Sequence, residues 1–518
     1  MTTALTPQPV REDPPDGQNR PQASQDALVL HASQEAIADV QLPEAAPELT
    51  PSEAGALPGE GANSSAESSA EGGLLGARYR ASTLGIVMVI TLLAFEAMSV
   101  GTVMPVTARD LNGLSLYAWG FSSTLIASLL TTVLAGGWID RSGPAKPLMI
   151  GLTTFVAGLA IAGTAPSMWI FVFGRSVQGL GTGAAIVAVY VLIARVYPED
   201  LRPRVFAALA TAWVLPSLIG PAVGGIVADH AGWRWVFLGL IPLVIPAAAI
   251  LVPALRKTTS AGHTPAAAAQ AGRGRYLAAI GVAAGAGILL YGLDRSGPVL
   301  ILTAAIGIAG LAYGLIRLFP AGTLRMGRGL PSVVLTRGLL AGAFYGMDVF
   351  IPLALTTLHG FSPTEAGVVL TVAALGWSAA SQIQGRSRRS RSFFVILGSV
   401  LVAIGVVAAT ITLQLPGWWS APAWTIGGLG MGLAISSLSV LLLDQSPEEE
   451  QGANSSALQI SDSIGSSVVV GVAGALVTGF GTGHIQEGLV VAGVLLAAIA
   501  GLAVVASFRL ENSHGRHP

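Results

Sequence analysis

The stretch Leu84–Pro105, LGIVMVITLLAFEAMSVGTVMP, decides the fold. It has the length of a bilayer-crossing helix, about 20 mainly apolar residues. A single carboxylate, Glu96, sits at its middle. A helix in hydrocarbon satisfies its backbone polar groups internally, so a run like this needs no soluble core around it. Working outward, stretches of the same kind recur at 84–105, 117–138, 147–165, 168–194, 204–228 and 233–254. Two more follow at 276–293 and 299–317, and six at 332–354, 364–382, 392–414, 421–443, 452–479 and 486–508. The expected class is an all-α integral membrane protein with fourteen spans, two sets of six separated by an additional pair.

Composition agrees. Charged residues are 11% of the 518, against 52% hydrophobic; soluble domains carry about 25% charge. The 65 glycines suit helices that approach one another closely in lipid. The chain has no cysteine, which excludes disulfides, thiolate chemistry and cysteine metal sites. A net charge of −1 gives no reason to expect nucleic acid. His230 and His359 lie near loops without a second ligand in view, so no metal and no cofactor is expected. The whole divides into a tail at 1–75, a first set at 76–256, a linker with two further spans at 257–330, a second set at 331–509, and a short tail at 510–518.

Residues 1–75 are rich in Ala, Pro, Glu, Gln and Ser and hold no sustained apolar run. Such a segment cannot offset its ordering entropy, and disorder is expected. It lacks the pattern of a signal peptide. Asn63-Ser64-Ser65 fits a glycosylation pattern, but on a cytoplasmic tail it would go unused. The loop charges set that orientation. Arg78, Arg80, Arg141, Lys146, Arg195, Arg202, Arg204, Arg256, Lys257, Arg273, Arg275, Arg317, Arg325, Arg328, Arg386, Arg388, Arg389, Arg391, Arg509 and Arg516 fall on one face, against Arg109, Arg234 and Arg295 on the other. The positive-inside rule makes the rich face cytoplasmic and leaves both termini there, in the inner (plasma) membrane.

Charges inside the spans are the candidates for function, because each is costly in lipid unless it is paired, hydrated or neutralised. Glu96 can face a polar cavity, carry a proton, or be a structural acid bonded to a neighbouring helix. Arg175 in the fourth span cannot readily neutralise itself and needs an acid, a carbonyl or water, with Glu96 one possible partner. Asp348 holds in the ninth span the place Glu96 holds in the first. Asp462 interrupts the thirteenth span beside Ser461, Ser463 and Gln459, as a pore acid or as interhelical glue. Gly179-Leu180-Gly181-Thr182-Gly183 lies within a span and lacks a Gly-Lys-Ser/Thr ending, which argues against a nucleotide loop.

Two glycine-rich stretches suit gating. Gly136-Gly137-Trp138-Ile139-Asp140-Arg141-Ser142-Gly143 joins the second and third spans, where Asp140, Arg141 and the Gly143 turn can form a clamp. Pro216, Gly220, Pro221, Gly224 and Gly225 bend the fifth span and admit a close neighbour that would seal the pore, or serve packing alone.

At these stretches the chain resembles the major facilitator superfamily, and within it the fourteen-helix drug:proton antiporters. Residues 137–146, GWIDRSGPAK, are similar to the loop motif between the second and third helices, with Pro144 where a basic residue is usual. Residues 175–181, RSVQGLG, resemble the fourth-helix motif whose arginine is implicated in proton coupling. Residues 216–225, PSLIGPAVGG, resemble the antiporter motif with Pro216 replacing its first glycine, and Trp233-Arg234-Trp235-Val236-Phe237 is also familiar from this family. Glu96 stands where an aspartate is frequent. The second-half loop motif is degraded to Gly385-Arg386-Ser387-Arg388.

The resemblance implies a major facilitator fold, two six-helix bundles plus two additional transmembrane helices, working by alternating access. It implies proton-coupled export of small hydrophobic or cationic organic molecules by a monomer in contact with membrane lipids, and no enzyme activity. A lipid or metabolite transporter of the same fold, or a non-transporting sensor or scaffold, are the alternatives.

Overall fold

The computed structural model describes residues 74, 76, 78–198, 201–259, 273–293, 295, 297–447 and 450–511. Within those bounds the side chains of residues 137, 140, 203, 206, 207, 210, 253, 254, 256–259, 273, 275, 451–453 and 482 are not described. The tail, Asp294 and the Asp140 carboxylate therefore lie outside the description, apart from Leu74 and Gly76.

Among the described residues, fourteen helices are long and apolar enough to cross a membrane. They are α1 (Arg80–Asp110), α2 (Trp119–Ser142), α3 (Ala145–Gly163), α4 (Met168–Val196), α5 (Arg202–His230), α6 (Ile241–Thr259), α7 (Arg273–Leu293), α8 (Pro298–Leu318), α9 (Leu330–Leu358), α10 (Pro363–Arg386), α11 (Arg391–Thr412), α12 (Ser420–Asp444), α13 (Gln451–Gly479) and α14 (Ile485–Ser507). The all-α membrane fold expected from the apolar runs is present. A short helical turn, Arg234–Leu238, precedes α6.

Helix ends follow local chemistry. Ser362 and Glu365 form a reciprocal capping box at the start of α10, satisfying two otherwise orphaned N–H groups. Gly143 ends α2 with φ of 74°, a conformation that costs a side-chain-bearing residue and that glycine adopts freely. Its N–H donates to Ile139 O at 2.8 Å. The tight turn read from the loop motif is therefore real, and Arg141 beside it is exposed.

The helices pack as two bundles with one neighbour pattern. α1 lies on α5 and α6, α2 on α4, and α3 on α4 and α6; in the same way α9 lies on α13 and α14, α10 on α12, and α11 on α12 and α14. Each helix of the first set has the neighbours of the helix eight places later.

Two seams join the bundles, α5 with α10 and α2 with α13. Pro221 O and Ala222 meet Gly367, and Gly225 meets Pro363 and Thr364. The Asp229 carboxylate accepts from Thr364 N at 3.0 Å and from the Thr364 hydroxyl. On the other seam Ser122 Oγ donates to Ser467 O at 2.9 Å, and Ala118 packs on Gly474. These contacts all lie toward the face opposite the arginine-rich loops.

The α7–α8 hairpin is held by small residues. Gly285, Gly307 and Gly314 bring the two backbones together. α7 also fills the α2–α13 seam, with Leu290 against Gly471 and Val282 in an apolar cluster with Leu129, Ile460 and Ile464. α8 presents Ile301 and Ile316, about 70% exposed, to its surroundings. In a membrane those are lipid-facing positions.

Candidate functional site

Glu96 and Arg175 meet. The α1 carboxylate and the α4 guanidinium form an ion pair, with each residue 3% exposed. Gln178, one turn further along α4, accepts from the same guanidinium nitrogen at 2.9 Å and donates to Glu96 Oε1 at 3.3 Å. The Arg175 Nε–H donates at 3.0 Å to Gly120 O, where α2 begins. Phe237 closes this site, its ring 6.0 Å from the guanidinium carbon and edge-on to Phe171 and Trp233. The Trp233–Phe237 stretch thereby acquires a physical purpose. Trp233 Nε1 and Arg234 both bond Asp110 at 2.9 Å, fastening the end of α1, while the fully buried Phe237 packs over the Arg175 guanidinium.

The glycines of α4 make this arrangement possible. Gly179 and Gly183 rest on the backbone at Thr124 and Ser128 of α2, and Thr124 Oγ1 bonds Arg175 O at 3.0 Å. The run that resembles a nucleotide loop in sequence is a helix-packing surface.

Asp348 has different surroundings. Helix order places it on α9 facing α12, as Glu96 on α1 faces α4. Where the first bundle supplies an arginine, the second supplies Trp424, whose Nε1 donates to Asp348 Oδ1 at 2.8 Å. Among the described residues no cation pairs with Asp348. Trp424 stacks on Phe344 at 4.7 Å, and Phe344 meets Tyr345 and Trp377 edge-on. Tyr345, Asp348 and Trp377 are half-buried within the fold, while Phe344 and Trp424 are fully packed. The result is an acid walled by aromatic rings.

Asp462 joins neither group. Its Oδ1 accepts from Arg337 Nε at 2.5 Å between α13 and α9, and Arg337 reaches on to Ile435 O at 3.4 Å. Ser461 Oγ bonds Val334 O at 2.7 Å beside the close crossing of Gly338 and Gly465. The polar stripe read around Asp462 is thus an interhelical joint with an ion pair in it. Arg337 escapes a count of loop charges because it lies near the arginine-rich end of α9, where it looks like one more topology determinant. An acid in the facing helix at matching depth is the signal that singles it out.

The residues read as a gate divide by location. Gly220 and Gly224 pack on α1, against Met98 and Ser99, with Ser99 Oγ bonding Gly220 O at 3.0 Å. Pro221 and Gly225 face α10 across the seam. Pro216 is buried on α5. One helix thus grips its own bundle through one pair of residues and the opposite bundle through another. Among the described residues no cluster of His, Cys, Asp and Glu could hold a metal ion.

This geometry has relatives. The family model of the Major Facilitator Superfamily matches residues 86–347 and 333–518. The chain belongs to that superfamily. It is a multi-pass membrane transporter of small molecules rather than an enzyme. The chain is 27% identical over 465 residues to the "Probable multidrug-efflux transporter Rv1634" of Mycobacterium tuberculosis, covering 85% of this chain and 96% of that one. It is 26% identical over 408 residues to "Multidrug transporter protein MdtP" of Bacillus subtilis, covering 76% and 74%. Among solved structures, an auto-inhibited POT family peptide transporter superposes with a TM-score of 0.61 at 17% identity, covering 84% of this chain and 98% of that one. A D-xylose–proton symporter gives 0.58 at 16% identity, covering 84% and 98%. At such identities these structures establish the fold alone.

Proposed function

We propose that this superfamily member exports small hydrophobic or cationic organic molecules in exchange for protons, with its arginine-rich face and both termini in the cytoplasm of a cell with a plasma (inner) membrane. The observation that carries the reading is the unequal treatment of two acids placed within the spans. Glu96 is neutralised by Arg175 and shielded by Phe237, a setting in which a proton and a guanidinium compete for one carboxylate. Asp348 has no cation partner among the described residues and sits behind aromatic faces, which attract organic cations through their quadrupoles. Relatives named for multidrug efflux support the direction. The seams toward the opposite face support an inward-facing state, with Pro216, Gly220, Pro221, Gly224 and Gly225 as the outer gate and Asp140, Arg141 and Gly143 as the cytoplasmic clamp.

Two measurements test the division of labour. In vesicles with an imposed proton gradient, Glu96→Gln is expected to abolish uphill substrate movement and substrate-driven proton flux while downhill exchange persists. Undiminished proton flux in a folded variant would remove Glu96 from the coupling. Asp348→Asn is expected to weaken binding of tetraphenylphosphonium about tenfold, roughly 1.4 kcal/mol, and to leave a neutral dye unaffected. Equal weakening for both probes would reduce Asp348 to a packing residue.

A further inference from the structure

The turn that opens α2 touches both acid sites. Gly120 O receives the Arg175 Nε–H at 3.0 Å. Gly120 N–H donates back to Tyr117 O at 3.1 Å, closing the turn. Tyr117 then crosses to the other bundle, its hydroxyl donating to Val349 O at 2.8 Å, one residue from Asp348. Its ring is 1% exposed and lies 5.8 Å from Phe350 and 5.6 Å from Phe121. A continuous path therefore runs from Glu96 through Arg175, Gly120 and Tyr117 to the backbone that carries Asp348.

We propose that Tyr117 is a positioning residue that ties the state of the Glu96–Arg175 pair to the closed contact between the bundles. While the pair is intact, the guanidinium holds Gly120 O and aligns the turn, so that the Tyr117 hydroxyl reaches α9. When Glu96 loses its charge, Arg175 is free to reorient, the turn loses its anchor, and the bond to Val349 weakens. A cation drawn to Asp348 acts on the same bond from the other end. The strut thereby keeps the outer-closed carrier that holds neither proton nor cargo from opening outward. The turn is well placed for this: Ser122 and Ala118 bind it to α13, and Thr124 and Gly179 bind it to α4.

This inference rests on the proposed coupling role of Glu96, and its test does not use transport. The chain has no native cysteine, so Ser115→Cys and Thr357→Cys, both exposed, carry one spin label on each bundle. Distance distributions then give the ratio of outer-open to outer-closed protein. Tyr117→Phe removes one buried hydrogen bond and is expected to raise that ratio about fivefold. Glu96→Gln is expected to raise it in the parent protein but less than about twofold once Tyr117→Phe is present, since the two act through one path. Thr364→Val, on the other seam, should multiply with Glu96→Gln. Retained thermal midpoints confirm that Tyr117→Phe folds. Full multiplication of Tyr117→Phe with Glu96→Gln, or no change from Tyr117→Phe, overturns the strut. Failure of proton-driven transport in vesicles would instead overturn the coupling reading and leave these ratios standing.

Discussion

Arg175→Ala is expected to destabilise the protein by about 3–5 kcal/mol, the largest single-site effect in the fold. The cost arises from what is left behind. Without the guanidinium, Glu96 remains 3% exposed with Gln178 as its one described polar partner. Gly120 O loses its donor as well. Adding Glu96→Gln removes the stranded charge and is expected to recover most of the loss, because a neutral amide can share hydrogen bonds with Gln178. Denaturation midpoints in detergent for wild type, both single variants and the double variant measure this. Both Arg175 variants should be inactive in coupled transport, so stability and function separate in the double variant. Equal midpoints for Arg175→Ala and wild type would mean that Glu96 is already neutral in the resting protein.

Gly225→Ala and Gly179→Ala add the same methyl group and are expected to do different things. At Gly225 the Cβ would lie 2.6 Å from Pro363 O and 2.7 Å from Thr364 Cα, both on the opposing bundle. Overpacking of this kind costs roughly 1–3 kcal/mol. Opening the seam relieves it, so the open-to-closed ratio should rise roughly five- to hundredfold. At Gly179 the methyl meets Thr124 within the first bundle, a contact present whichever way the carrier faces. That variant should lose stability without shifting the ratio. A reporter cysteine at Leu370, which faces Gly101 across the seam, should react with an impermeant maleimide much faster in Gly225→Ala. Unchanged labelling there would mean that the α5–α10 contact is not a gate.

The span pattern was legible because in lipid each helix must be long, apolar and self-satisfied. All fourteen helices appear near the positions at which the apolar runs place them. The site was half legible. A charge in a span announces itself, so Glu96, Arg175, Asp348 and Asp462 stand out in the bare sequence. The partners do not. Gly120 contributes a carbonyl, which no residue type advertises, and Trp424 reads as one more apolar residue until its indole N–H is found on Asp348. Tyr117 was hidden for the same reason, since its hydroxyl bonds a backbone atom 232 residues away. Asp462 illustrates the converse: the sequence shows the acid plainly, and only packing shows that Arg337 already claims it.

The repeated architecture also has an electrical side. Deep within the described helices, Glu96 cancels Arg175 and Asp462 cancels Arg337, while Asp348 in the otherwise matching place has an indole for company. The bundles are alike in shape and unlike in pairing: among the described residues the second bundle's acid has no cation of its own. On the proposed reading, a monovalent cation at Asp348 makes the moving unit neutral and insensitive to membrane voltage. A divalent cation leaves it positive, and each reorientation then works against or with about 2.3 kcal/mol per 100 mV. On the same reading, the substitution of one tryptophan for one arginine between two related helices would set which cargoes feel the membrane potential.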